Sequence, residues 1–108
     1  MQTNREWSEK QLTNKLISHL NKQPSAWVYK RHAISNEAGK PDITGIYKGL
    51  RVEIEVKAPC RDRGSLTANL RIASKIQQHY IKKIQKLGGI AGVVCTVDQA
   101  DNLLRSFD

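Results

Sequence analysis

The sequence predicts a small α/β fold, a mixed four-stranded sheet flanked by helices in the order α-β-β-β-α-β-α. Three observations carry that prediction. Leucines recur at four-residue steps near the start of the chain (Leu12, Leu16, Leu20). A run that alternates strictly between charged and apolar residues, Arg51 to Lys57, follows the tight-turn signal Lys48-Gly49. An uncharged run, Ile90 to Thr96, stands between two stretches of helical spacing. With 108 residues there is room for one compact core and none for a separate recognition domain, so residues 1–108 read as a single domain.

The elements follow in order. Asn4 to Asn21 sets its leucines against mostly polar neighbours and reads as an amphipathic helix. Asn21 to Ser25 contains Pro24 and is a turn; Trp27-Val28-Tyr29 then marks a first strand from Ala26 to His32. Gly39 and neighbouring turn formers fill Asn36 to Lys40. Pro41 fits only the first residue or the edge of a strand, so a second strand starts near Asp42 and continues through Ile43, Ile46 and Tyr47. Arg51 to Lys57 pairs with it as a hairpin. Ala58 to Ala73 mixes Pro59, Gly64 and three arginines with Leu66, Leu70 and Ile72, and reads as a basic loop with room for one helical turn. Ser74 and Gln77 fit a capping box, Tyr80, Ile81, Ile84 and Leu87 continue at helical spacing, and Gly88-Gly89 closes that helix. Ile90 to Thr96 suits a buried strand, and Asp98 to Phe107 a last helix with Leu103 and Leu104 facing inward.

Eighteen Lys and Arg against 10 Asp and Glu give a formal charge of +8. So basic a body attracts polyanions, of which nucleic acid is the commonest; lysines that only keep the protein soluble are the plain alternative. No apolar run approaches the ~20 residues needed to cross a bilayer, and the first residues lack a signal-peptide stretch. The expectation is therefore no membrane partner and a cytoplasmic location. Cys60 and Cys95 are too few for a disulfide framework or a zinc finger and read as free, packed thiols. No readable Ser/His/Asp or Cys/His nucleophile arrangement is present.

The chemistry-bearing pattern lies in the hairpin. A period of two sends Ile54 and Val56 to one face and Glu53, Glu55 and Lys57 to the other. Asp42, near the start of the paired strand, comes within reach of Glu55. A solvated sheet face would show the same alternation. Clustered carboxylates, however, repel unless a cation lies between them, and hard oxygen ligands on a partly open site suit Mg²⁺ or Mn²⁺. Glu53 shares that face one step further out, beside the site or on the surface. Glu9 lies about 20° from Leu16 and Leu20 on a helical wheel, within the apolar stripe. Either the helix starts after it and Glu9 is a solvated first-turn acid, or it faces inward to a metal.

Pro41-Asp42 followed by Glu55-Val56-Lys57 resembles the PD-(D/E)xK nuclease signature. Gly39-Lys40-Pro41-Asp42 with Ile54-Glu55-Val56-Lys57-Ala58-Pro59 is similar to the VRR-NUC branch of that superfamily in particular. In that branch a glutamine opens the helix after the motif strand and a double glycine closes it; Gln77 and Gly88-Gly89 occupy those places. A bare Pro-Asp and Glu-x-Lys recur by chance, and the ordered set is more specific. The resemblance spans roughly Glu9 to Thr96 and departs from compact members in the longer stretch from Cys60 to Ala73. It implies a restriction-endonuclease-like core in which Asp42, Glu55 and the backbone carbonyl of Val56 ligate Mg²⁺ or Mn²⁺. Related nucleases often draw a further acidic ligand from the first helix, which favours Glu9 as a ligand. Lys57 would orient or polarise the attacking water and stabilise charge on the phosphate. Gln77 would point at the site and hold Lys57 or a water, unless it serves only as a helix cap.

The resemblance further implies a structure-specific DNA endonuclease. Small stand-alone members are similar to phage-type enzymes that cut branched DNA such as Holliday junctions, in a bacterial or phage-infected cell. Symmetrical cutting calls for a homodimer, with Ile90 to Thr96 or the last helix supplying part of the interface; no small-molecule cofactor is required. The alternatives are a flap, restriction-type or nonspecific nuclease of the same fold, or a catalytically silent nucleic-acid-binding module. For DNA contact, Arg61, Arg63 and Arg71 leave the motif strand beside Lys57, and Lys30, Arg31 and Lys40 approach from the other side. His32, at the end of its strand, either touches phosphate or is structural. Lys75 shares one side of its helix with Lys82 and Lys86, where they either grip phosphates or form a solvated face. With no recognition helix, DNA shape rather than base sequence would set specificity.

Overall fold

The computed structural model describes residues 7–31, 39–57 and 66–108. The chain runs α1 (Glu9–Leu20), β1 (Ala26–Lys30), β2 (Ile43–Tyr47), β3 (Leu50–Val56), α2 (Leu66–Ile72), α3 (Lys75–Lys86), β4 (Ile90–Val94) and α4 (Val97–Arg105). Helix starts are set by short polar side chains. The Ser8 hydroxyl accepts from the Gln11 amide at 3.1 Å while the Gln11 side chain accepts from the Ser8 amide at 2.9 Å, so α1 begins at Glu9, inside the expected span. Ser74 and Gln77 repeat that reciprocal cap at α3.

The strands form one sheet in the order β1-β2-β3-β4, antiparallel for the first two pairs and parallel for β3 with β4. Tyr47 pairs with Leu50 across a two-residue turn whose Lys48 and Gly49 both have positive φ, 50° and 84°. That is the turn geometry whose twist matches the strands it joins. Tyr47 and Leu50 therefore fix the register of the hairpin from its closed end.

Helices cover the sheet unequally. On one face Leu12, Leu16 and Leu20 of α1 and Ala100, Leu103 and Leu104 of α4 bury Val28, Ile43, Val52, Ile54, Val56, Ile90 and Val94. On the other, Ala73 and Ile81 pack on Ala91 and Val93 of β4, with Leu70 and Ile84 at the margin. Among the described residues, no helix covers the β1 and β2 part of this second face, where Trp27, Tyr29 and Ile46 are exposed.

Two sequence expectations change. The stretch read as a loop contains a helix, α2, of seven residues. Its docking depends on a polar residue that hydrophobic periodicity does not register: buried Asn69 donates to the Val93 carbonyl at 3.0 Å and to the Gln99 side chain at 2.7 Å. The second change concerns the cysteines. Buried Cys95 is disulfide-bonded rather than a free thiol; Cys60, the other cysteine in the chain, lies outside the described residues. The ends of the parallel strands β3 and β4 lie side by side, where the Lys57 amide donates to the Val94 carbonyl at 3.0 Å.

Both sheet edges are capped by side-chain amides. Asn21 bonds both the amide and the carbonyl of Val28 on β1, at 2.8 and 2.9 Å. Gln85 and Asn69 donate to the Ala91 and Val93 carbonyls of β4, at 2.8 and 3.0 Å. Such caps block strand addition from outside. No helix among the described residues is long and apolar enough to cross a membrane.

One substitution tests the packing of the hairpin against its neighbour. A Cβ on Gly45 would lie 2.2 Å from the Trp27 carbonyl oxygen and 2.6 Å from the Val28 Cα, backbone atoms that cannot move without breaking the β1–β2 ladder. Gly45→Ala is expected to destabilise the protein by roughly 1–3 kcal/mol in denaturant unfolding; a loss under about 0.5 kcal/mol would contradict this packing.

Candidate functional site

The hairpin register builds the site. Ile43 opposes Ile54 in the ladder, so Asp42 and Glu55 are the next pair along it, and side-chain alternation puts them on the face opposite the α1 and α4 core. Asp42 is held at both ends. Its carbonyl accepts from the Arg31 amide at 2.7 Å, and its carboxylate accepts from the Val56 amide at 3.1 Å. Lys57 follows directly on β3, and its ammonium lies 3.5 Å from one Glu55 oxygen. Asp42, Glu55 and Lys57, singled out from the sequence, thus meet at one end of the sheet.

Glu55 is buried, 4% exposed, and its other carboxylate oxygen lies in the interior without a hydrogen-bond partner. Burial, reinforced by the negative charge of Asp42, pushes its carboxyl from the ordinary 4.5 up to about 7, and Lys57 offsets only part of this. The arrangement is one in which negative charge is gathered faster than the protein neutralises it.

Glu53, one step along the same strand face, shows the contrasting case. It is fully buried and fully engaged: Arg31 donates to one oxygen, and the Thr44 hydroxyl and Arg51 Nε donate to the other at 2.6 and 3.0 Å. Arg31 also donates from Nε to the Pro41 carbonyl at 3.0 Å, locking the chain that delivers Asp42. This cluster was not legible as a structural lock; the signal was there in Thr44, Arg51 and Glu53, which the hairpin register places side by side.

Two hard carboxylates with a buried oxygen left unsatisfied fit Mg²⁺ or Mn²⁺, since such ions take one or two protein carboxylates and keep several waters. Among the described residues no cluster of three His, Cys, Asp or Glu side chains is close enough to hold an ion. Glu9 is exposed at the first position of α1, where the helix dipole favours an acid. Its charge is the smallest of the influences that raise the Glu55 carboxyl.

Gln77 acts as a helix cap. Its backbone amide and side-chain oxygen are both used in the cap with Ser74, so only its side-chain nitrogen remains to face Lys57 or a ligand. Arg31 is committed to Glu53 and Pro41 rather than presented to phosphate. Lys30, Arg71 and Lys75 are exposed and Lys40 is half-buried; His32, Arg61 and Arg63 lie outside the described residues.

The raised Glu55 carboxyl has a stability consequence of definite sign. Between pH 4.5 and about 7 the folded state holds the Glu55 proton more tightly than the unfolded chain does, so this group's contribution falls as pH rises through that window. The size is on the order of 3 kcal/mol. Glu55→Gln is expected to raise Tm at pH 8 by on the order of 10 °C while changing it little at pH 4, read by differential scanning calorimetry without divalent ions. Equal shifts at both pH values would contradict the assignment. Set against known proteins, the chain matches no family model and no curated protein.

Proposed function

We propose that this chain is a divalent-metal-dependent endonuclease that hydrolyses phosphodiester bonds in branched DNA, of the kind presented by a four-way junction. The observation that carries the reading is the unsatisfied buried oxygen of Glu55, set beside Asp42 on one sheet face and next to the Lys57 ammonium. A purely structural carboxylate at this position would be neutralised as Glu53 is. A carboxylate pair left with spare negative charge repels DNA, which a binding module has no use for, unless a cation occupies the site.

In this reading Asp42 and Glu55 hold Mg²⁺ or Mn²⁺, helped by the Val56 carbonyl. When bound, the ion supplies charge for the phosphate and lowers the pKa of water at the site. The protein's own groups do the rest. The Val56 amide fixes the Asp42 carboxylate, keeping one oxygen turned to the site. Lys57 holds a water by its ammonium and faces the negative charge that grows on the phosphoryl oxygens. Lys30, Lys40, Arg71 and Lys75 attract the DNA backbone without reading bases.

Two cuts across a symmetric junction need two such sites, so the active species is a homodimer. With both sheet edges capped, the second copy docks through helices or loops rather than by extending the sheet.

The test is nicking of labelled four-way junction, flap and linear duplex DNA with Mg²⁺ or Mn²⁺. Cleavage of the junction is expected, reduced about 100- to 1000-fold by Lys57→Ala in a protein that stays folded. Asp42→Asn is expected to abolish it and to remove the rise in Tm that Mg²⁺ gives the wild type. Undiminished cleavage by Lys57→Ala would remove the mechanism; DNA binding without cleavage of any substrate would leave a silent binding module.

A further inference from the structure

The uncovered part of the sheet carries chemistry that the nuclease reading does not use. Trp27 and Tyr29 alternate on β1 and point to the same face, 65% and 46% exposed, with ring centroids 5.1 Å apart and planes tilted by 43°. Ile46, opposite Trp27, is 43% exposed beside them. These side chains, with Arg31 and Arg51, line an open groove of about 460 Å³. Large aromatics rarely stand so exposed on one surface without a partner, because each could bury ~150–250 Å².

We propose that this groove is a binding platform for unpaired nucleobases, on which a single-stranded stretch of nucleic acid stacks against Trp27 and Tyr29. Three features favour that occupant. First, both rings offer an accessible π-face to a flat partner, and stacking on aromatics holds any base. Second, the rim carries guanidiniums: Arg31 and Arg51 line the groove beside the rings, in a chain of net charge +8. Third, a second copy suits the face poorly. The three side chains expose a few hundred Å², against roughly 800 Å² per partner in a stable interface, and like charges would meet across a two-fold axis.

The platform also leads towards the carboxylate pair. Tyr29 opposes Thr44 and Trp27 opposes Ile46, two and four residues from Asp42 along β2. At ~3.3 Å per residue the rings lie about 7 and 13 Å from Asp42 along the strand. A stacked strand would run towards Asp42 and Glu55; this last step alone rests on the nuclease reading.

The test measures binding without cleavage. Fluorescence anisotropy in EDTA compares a labelled oligo(dT) with a base-free phosphodiester oligomer of equal length. The wild type is expected to prefer oligo(dT). Trp27→Ala and Tyr29→Ala should each weaken oligo(dT) binding about 5- to 150-fold, change binding of the base-free oligomer little, and leave the circular dichroism spectrum intact. Trp27→Phe should keep most of the affinity.

Equal wild-type affinity for the two oligomers, or oligo(dT) affinity unchanged in both alanine variants, would overturn the proposal. So would a wild-type dimer in sedimentation that Trp27→Ala splits without weakening oligo(dT) binding, an outcome that assigns the face to a second copy. A protein that binds oligo(dT) through Trp27 but cuts no DNA would sink the nuclease reading and leave the platform standing.

Discussion

The register of one hairpin determines where every charged group of the site ends up. A two-residue turn closes β2 onto β3, and from there alternate residues fall on opposite sides of the sheet. Slipping the pairing by one residue would drive Arg51, Glu53, Glu55 and Lys57 into the leucine-rich core and turn Val52, Ile54 and Val56 to solvent. A slip of one residue in either direction thus loses the burial of the apolar set. The hydrophobic effect on one face thereby sets the electrostatics of the other, and the convergence of Asp42 with Glu55 follows from core packing.

Two glutamates on the same strand face then meet opposite fates. Glu53 receives two guanidiniums and a hydroxyl, and no shortage of donors remains. Glu55 receives one ammonium at 3.5 Å and faces a second carboxylate. The energetic asymmetry is large: an engaged buried carboxylate can be close to neutral for stability, whereas one left partly unsatisfied carries its desolvation cost. The Glu53 cluster makes the strained neighbour tolerable, because Arg31 ties β1, the chain before β2, and β3 together around it. Rigid support beside an unneutralised carboxylate is the condition a catalytic or metal site requires.

Much of the fold was legible because it rests on periodicity and turn chemistry. The leucine steps of α1, the alternation of β3, the Ser74 cap and the uncharged β4 each state their element in a few residues. What escaped was polar and tertiary. Asn69 anchors α2 through a carbonyl of β4 and the side chain of Gln99, partners that a sequence window cannot place beside it. That Cys95 is disulfide-bonded is likewise written in no local pattern. In the site, the convergence of Asp42, Glu55 and Lys57 followed from strand alternation across a short hairpin, and the cap made by Gln77 followed from its spacing to Ser74. Trp27 and Tyr29 read as strand formers; which side of the sheet goes uncovered depends on where α2 and α3 dock.

The central claim is that Glu55 carries a buried negative charge the protein leaves for a cation. The most direct measurement is a carbon-13 NMR titration of the Glu55 side-chain carboxyl with and without saturating Mg²⁺. The account predicts an apparent pKa near 7 in the absence of the ion, falling well below that value when Mg²⁺ is present. Titration at the ordinary 4.5, with no response to Mg²⁺, would contradict it.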